Sequence, residues 1–149
     1  MKFELTLNGA PAQVEGDPME RLLDVLREKC GLSGSKEGCG EGECGACTIL
    51  MDEEPVLSCL VPLGQCEGRK LLTVEGLTEA GAAEFLERFV ATGGVQCGAC
   101  TPGVVVTAWA LLSRSPQPTR GEIQERLAGN LCRCTGYEGI YRAFEGEGE

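Results

Sequence analysis

The chain has 149 residues, enough to bury a hydrophobic core of its own, so its ten cysteines are not required as crosslinks for folding. Its formal net charge of −10 argues against binding to nucleic acid, because phosphate groups would repel it. It contains no histidine, which excludes a histidine-ligated haem, a Rieske centre and a two-cysteine two-histidine zinc site within this chain.

The first residues predict a hairpin followed by a helix. Apolar and polar residues alternate over 3–7, which predicts a strand, and Asn8-Gly9 predicts a tight turn into a second strand over 12–15. Residues 17–20 have the pattern of a helix N-terminus, with an N-cap, a proline at the first helical position and a capping box. The apolar spacing that follows predicts that this helix continues to Cys30.

A long loop and three further strands are predicted next. The stretch SGSKEGCGEGECGAC, residues 33–47, is too rich in glycine for a helix or a regular strand. Long loops inside small domains usually have a function, and these glycines let backbone N–H groups point towards negatively charged sulfurs. Strands are predicted over 48–51, 56–61 and 71–74, with a turn at 52–54.

Beyond residue 76 the pattern becomes helical. Four helical segments are predicted, over 79–92, 103–113, 119–128 and 140–144, followed by an acidic, frayed tail over 145–149. Thr101 is predicted to cap the second of these helices, which is apolar nearly all round and is therefore buried centrally or covered by a partner. We predict an α+β chain with a strand-rich domain, residues 1–76, and a helical domain, residues 77–149.

Four cysteines of the first domain have the spacing C-x4-C-x2-C, with a fourth after eleven more residues. This first set is Cys39, Cys44, Cys47 and Cys59. The spacing is that of plant-type 2Fe–2S ferredoxins, in which a wrapping loop and a distant strand together supply four thiolates. A zinc site is the alternative, but zinc usually takes paired C-x-x-C knuckles, so iron is strongly favoured.

Four cysteines of the helical domain form a C-x-x-C and a C-x-C pair. This second set is Cys97, Cys100, Cys132 and Cys134. Its spacing fits an iron–sulfur cluster, but two such knuckles could also hold zinc. The C-x-x-C pair could instead be a redox dithiol, although the strand–helix setting of thioredoxin is missing and the C-x-C pair would stay unexplained.

The rest of the sequence contains no catalytic arrangement. Cys30 is interpreted as a small apolar residue on the first helix, and Cys66 has no assigned role. No export signal is recognised at the N-terminus and no apolar stretch is long enough to span a membrane, so we expect a cytoplasmic protein without a membrane span. Cysteines in such a protein are more often metal ligands than disulfides.

Three motifs carry a resemblance to a known family. They are GCGEGECGACT over residues 38–48, QCGACTPG over 96–103 and GNLCRCTGY over 129–137. In this order they resemble the small iron–sulfur subunit of the xanthine oxidase family of molybdenum hydroxylases, which includes the small subunits of carbon monoxide dehydrogenase, aldehyde oxidoreductase and hydroxybenzoyl-CoA reductase. The resemblance implies an N-terminal β-grasp ferredoxin-like domain and a C-terminal four-helix domain, each binding one 2Fe–2S cluster.

The resemblance also implies roles for residues and partners. The eight cysteines of the two sets would ligate iron, and Gln96 and Cys134 match residues that lie beside the molybdopterin cofactor of a large partner subunit. A medium partner subunit would bind FAD. The expected function is electron transfer from the molybdopterin site through two clusters towards FAD, with substrate chemistry on another chain. A zinc module with a structural role and an independent soluble ferredoxin are the competing hypotheses.

The two cysteine sets predict two spectroscopically distinct 2Fe–2S centres, with about four irons and four labile sulfides per chain. One set lies in a glycine-rich loop and the other between helices, so hydrogen bonding and solvent access should give the centres different potentials. Metal and sulfide analysis of the purified protein checks this. Two zinc ions per chain without labile sulfide would contradict it.

Overall fold

The structure, a computed structural model, describes residues 1–146. Its first part is a five-stranded mixed sheet with the strand order β2-β1-β5-β3-β4. The strands are β1 (Lys2–Leu7), β2 (Ala10–Glu15), β3 (Thr48–Met51), β4 (Glu54–Leu57) and β5 (Lys70–Leu72). β1 and β5 are parallel, and the other neighbouring strands are antiparallel. One short helix, α1 (Leu22–Asp24), belongs to this part.

The N-terminal hairpin has the turn that its sequence predicts. Asn8 and Gly9 both have positive φ angles, of 50° and 84°, and Leu7 pairs with Ala10 across them. Two-residue hairpin turns favour this geometry because its twist matches that of the strands. The alternation along β1 buries Phe3 and Leu5 in one hydrophobic cluster with Leu22 of α1.

The helix predicted from residue 17 begins later than expected. Residues 17–20 form a turn, α1 begins at Leu22, and a π-helical turn over Val25–Lys29 leads to Cys30. The reason is tertiary: the N–H of Leu22 donates to the carbonyl of Val61 at 2.8 Å, which holds this backbone against a neighbouring segment. The predicted N-cap at Asp17 is therefore wrong, although the Asp17 N–H does bond to the Glu20 carboxylate at 3.3 Å.

The strand predicted over 56–61 is displaced towards the N-terminus. Asp52 and Glu53, with φ angles of 50° and 72°, form a two-residue turn, so β4 already begins at Glu54. After Leu57 the chain leaves the sheet in another turn, in which the Leu60 N–H donates to the Leu57 carbonyl at 2.9 Å. Side-chain alternation locates this strand approximately, but the turn conformation fixes where it begins.

Four helices follow the sheet. They are α2 (Ala83–Ala91), α3 (Thr101–Arg114), α4 (Arg120–Leu127) and α5 (Glu138–Glu145). The helix predicted from residue 79 starts instead at Ala83, because Gly81 interrupts the preceding π-helical turn with a φ of 104°. The predicted cap at Thr101 is also wrong, since Cys100 occupies the N-cap position and no side chain caps the helix. The capping box of Thr119 and Glu122 is confirmed.

Helix α3 is covered by this chain itself. It packs against β3 and α4, and nine of its fourteen residues are buried. Of the two possibilities that its apolar sequence left open, central burial is therefore the one observed. The two main hydrophobic clusters lie mainly in the sheet and in the helices, with Leu50 of β3 belonging to the helical one. The domain boundary near residue 76 stays a prediction.

No helix within residues 1–146 combines the length and the apolar character that crossing a membrane requires. Of the predicted frayed tail, residues 147–149 lie outside the described part of the chain. Residue 145 is the last residue of α5, so the helix reaches further than the sequence predicts.

The cysteine loop and the helices meet through two glycines, Gly45 and Gly103. A Cβ at Gly103 of α3 would lie 2.0 Å from the carbonyl oxygen of Gly45, and one at Gly45 would lie 2.4 Å from the carbonyl oxygen of Gly129. Gly45 also has a φ of 77°, which favours glycine. Both positions therefore require glycine for the two halves to approach.

We expect Gly103→Ala to lower the free energy of unfolding by about 1–3 kcal/mol, the usual cost of overpacking, even though alanine favours helix. Gly121→Ala in α4 is the matched control, because the nearest atom to its added Cβ is 4.0 Å away. That control should be neutral or stabilising by up to about 1 kcal/mol. Thermal unfolding of both variants checks the sign. A stabilised Gly103→Ala protein would contradict the close approach.

Candidate metal centres

The first cysteine set lies in a loop whose backbone is directed at sulfur. The N–H groups of Glu41, Glu43 and Cys44 donate to Cys39 Sγ at 3.4, 3.3 and 3.4 Å. Hydrogen bonds from these three N–H groups lower the pKa of the Cys39 thiol to about 7. The loop thus favours a thiolate, the form that binds metal.

The other end of the first set is held against β3. Cys47 and Cys59 are buried, and the Ser58 hydroxyl donates to the Cys47 carbonyl at 2.7 Å. Burial, followed by the neighbouring Cys47 thiol, raises the pKa of Cys59 to about 11. A metal cation offsets this cost by stabilising the thiolate. Cys47 and Cys59 also lie together in one small hydrophobic cluster with Leu23.

One pair of sulfurs in the second set has the spacing of two ligands to one metal. Cys97 Sγ lies 3.6 Å from Cys134 Sγ, and a tetrahedral metal with bonds of about 2.3 Å places two sulfur ligands about 3.8 Å apart. Burial, followed by the neighbouring Cys132 thiol, raises the pKa of the Cys100 thiol to about 12. The four thiols of each set match the number of ligands that a 2Fe–2S cluster needs. Among residues 1–146, no group of three or more histidine, cysteine or acidic side chains is arranged around a single ion.

A cavity of about 210 Å³ lies at the second set. It is lined by the four cysteines of this set and also by Cys44 of the first. The cavity therefore reaches from one set to the other. Four cysteines around one cavity suit a sulfur-bridged cluster.

The segment after Cys132 is closed by hydrogen bonds that the sequence does not predict. The Tyr137 hydroxyl accepts from the Cys132 N–H and donates to the Asn130 carbonyl, both at 2.8 Å. The Thr135 hydroxyl donates to Cys132 Sγ at 3.1 Å. Burial opposes ionisation of Cys132, but hydrogen bonds led by that of Thr135 hold the pKa of its thiol below the ordinary value.

Asn130, Thr135 and Tyr137 belong to the motif GNLCRCTGY, but their spacing does not indicate these hydrogen-bonding roles. Tyr137 acts through a left-handed backbone conformation, with a φ of 69°, which is uncommon for a tyrosine. In the sequence, the only indication of a role for Tyr137 is its position just after a glycine in this motif. That position does not identify the Asn130 carbonyl as the group to which its hydroxyl donates.

Hydrogen bonds join the two cysteine sets directly. The Leu131 N–H donates to the Cys44 carbonyl at 2.9 Å, and the Asn130 side-chain amide donates to the Gly45 carbonyl at 3.2 Å. Asn130 is buried, with 4% of its surface exposed. Leu131 directly precedes Cys132. One backbone bond therefore connects a residue of the first set to the neighbour of a residue of the second.

The remaining predicted residues divide between the surface and the core. Gln96 is exposed next to Cys97, and Cys97 and Cys134 are exposed as well, so these three lie in one surface region. Cys30 is half-buried and Cys66 is fully buried; both lie apart from the two sets, in the cluster beneath the sheet. Burial raises the pKa of Cys66 to about 11.

Comparison with known proteins identifies both halves. Residues 5–72 match the family model of the 2Fe-2S iron-sulfur cluster binding domain, and residues 73–145 match that of the 2Fe-2S binding domain. The small FeS subunit of nicotinate dehydrogenase from Eubacterium barkeri is 49% identical over 142 residues, which cover 95% of this chain and 90% of that one. The chain belongs to the small iron–sulfur subunits of the xanthine oxidase family of molybdenum hydroxylases.

Further relatives agree with this assignment. The iron-sulfur-binding subunit of xanthine dehydrogenase from Escherichia coli is 43% identical over 141 residues, covering 93% of this chain and 88% of that one. Quinoline 2-oxidoreductase from Pseudomonas putida 86 has a chain that superposes with a TM-score of 0.93 at 43% identity, covering 99% and 91% of the two chains. The predicted fold class is confirmed, and the iron–sulfur subunit serves electron transfer in an oxidoreductase.

The location of the two cysteine sets in different predicted domains predicts that the two centres fail separately. Cys44→Ser should remove the loop centre and Cys100→Ser the helical one, each leaving about two of four irons per chain. Cys66→Ala is the matched control and should keep all the iron, because Cys66 lies outside both sets. Iron analysis and electron paramagnetic resonance (EPR) spectra measure the outcome. Loss of both signals from a folded single variant would refute independent centres.

Proposed function

We propose that the iron–sulfur subunit holds two 2Fe–2S clusters and carries electrons from a molybdopterin site in a large partner subunit towards FAD in a medium one. When bound, each cluster supplies one-electron redox chemistry. The proposed ligands are Cys39, Cys44, Cys47 and Cys59 for the loop cluster, and Cys97, Cys100, Cys132 and Cys134 for the helical cluster. This chain contributes no catalytic residue to the substrate reaction.

One observation carries the proposal: the 2.9 Å hydrogen bond between Leu131 and Cys44. Electronic coupling decays more slowly through covalent and hydrogen bonds than through empty space. Here the route from Cys44 to Cys132 consists of backbone, this bond and one further residue. An arrangement of two structural zinc modules gives no reason for such a direct link between the sets.

The exposed side of the second set supports its proposed position next to the molybdopterin. Cys97 and Cys134 are exposed, whereas Cys47 and Cys59 are buried, so a cofactor on another subunit can approach the helical cluster more closely. The Gln96 amide can both donate and accept hydrogen bonds, which suits the polar edge of a pterin. Its simpler role would be to cap the cysteine loop. The apolar sequence of α3 adds no support for this position, because α3 is buried by this chain itself.

We also propose a cytoplasmic location. None of the ten cysteines forms a disulfide in the structure, as expected for a compartment that keeps thiols reduced. The partner subunits and their cofactors can be tested by affinity purification of the tagged chain from its native host. Flavin and molybdenum should then accompany four irons per chain, by the ligand count above. A chain that elutes alone with its clusters would instead be an independent ferredoxin.

Gln96→Ala should leave both clusters assembled but slow their reduction by substrate in the intact complex, while reduction by dithionite stays unchanged. Nicotinate and xanthine, which give relatives of this chain their names, are the first substrates to try. Gln117→Ala, at another exposed glutamine that is far from the cysteines in sequence, is the matched control. Stopped-flow absorbance measures the rates. Equal rates in Gln96→Ala and wild type would remove Gln96 from the entry path.

A further inference from the structure

The Thr135 hydroxyl is held by hydrogen bonds on both sides. Its oxygen lies 3.1 Å from Cys132 Sγ, and it accepts the N–H of Tyr137 at 3.2 Å. A hydroxyl has one proton to donate. Since the Tyr137 N–H approaches its oxygen as a donor, the proton is available for the sulfur.

Tyr137 fixes this geometry from two directions. Its left-handed backbone, with a φ of 69°, turns its N–H towards Thr135, while its side-chain hydroxyl bonds to the Cys132 N–H at 2.8 Å. The same hydroxyl donates to the carbonyl of Asn130, a buried residue. The bond from Thr135 to sulfur is therefore part of a closed arrangement, in which the hydroxyl has little freedom to rotate away.

The first set receives a different kind of donor. The four hydrogen bonds to Cys39 and Cys44 sulfurs in the loop all come from backbone N–H groups. Within residues 1–146, Thr135 provides the only side-chain hydroxyl bonded to a sulfur of either set. Substitution of a side chain can therefore remove a sulfur hydrogen bond from the second set without changing the backbone.

A donor at a ligand sulfur affects the two redox states unequally. One-electron reduction breaks no bond and adds one negative charge to the iron–sulfur unit, part of which resides on the sulfurs. A hydrogen bond to a more negative acceptor is stronger, so the donor stabilises the reduced state and raises the potential. The electron comes from the substrate in turnover and from dithionite in a titration.

We propose that the Thr135 hydroxyl, by donating to Cys132 Sγ, raises the reduction potential of the helical cluster and leaves that of the loop cluster unchanged. This inference rests on the proposed function, because it requires a 2Fe–2S cluster on the second set. It adds one specific contribution: the side chain at position 135 changes the potential difference between the two clusters, and with it the driving force for electron transfer between them.

Thr135→Val tests this in the purified complex, because valine has the shape of threonine without the hydroxyl. An EPR-monitored redox titration should show the helical cluster about tenfold less reduced relative to oxidised at a given potential, which corresponds to 59 mV for one electron. The loop cluster should keep its potential. Thr135→Ser retains a hydroxyl and should titrate like wild type. Thr107→Val, which removes a buried hydroxyl from α3, should leave the potentials of both clusters at their wild-type values.

Potentials of Thr135→Val that match wild type would overturn the inference, and so would a Thr135→Ser shift as large as that of valine. An equal shift of both clusters would overturn it as well, because it would indicate a general structural effect. Thr135→Ala provides a smaller replacement should valine prevent cluster assembly, and the same criteria apply to it. A wild-type complex without two 2Fe–2S signals would instead refute the proposed function itself.

Discussion

The approach of one backbone to another, where the cysteine loop meets the helices, is the constraint on which the rest of the structure depends. Gly45 lies so close to Gly103 and to the Gly129 carbonyl that no side chain fits at position 45 or at position 103. Main chain therefore contacts main chain, and the Leu131 N–H reaches the Cys44 carbonyl. A junction built from long side chains could not fix the distance between the two cysteine sets in this way, because side chains change rotamer readily.

The cysteine loop keeps the negative charge of its sulfurs apart from that of its carboxylates, and the same two glutamates contribute to both sides. Glu41 and Glu43 direct their N–H groups inward to Cys39 Sγ, while both residues are exposed at the surface. Glycines at positions 40, 42 and 45, all with positive φ angles, make this backbone path accessible. The inside of the loop is thus a site for anionic sulfur. Its outside contributes to the negative surface expected of a chain with a net charge of −10.

The sequence predicted best what depends on local chemistry. The Asn8-Gly9 turn and the Thr119 capping box each involve residues within a few positions of one another, and both are present. The start of α1 was mispredicted because a hydrogen bond from Leu22 to the distant Val61 decides it. The grouping of cysteines followed from their spacing. The roles of Asn130, Thr135 and Tyr137 did not, since they depend on a left-handed tyrosine and on acceptors that no spacing rule identifies.

The position of β5 in the sheet has a consequence for biosynthesis. β5 lies between β1 and β3, yet it is the last of the five strands to be translated. The hairpins β1–β2 and β3–β4 can each form from local pairs, but they are united only when β5 has emerged, because such non-local pairing comes late. A nascent chain that ends just after Cys59 already carries all four thiols of the first set. It still lacks the strand that fixes the hairpins relative to each other, so the thiols precede their scaffold.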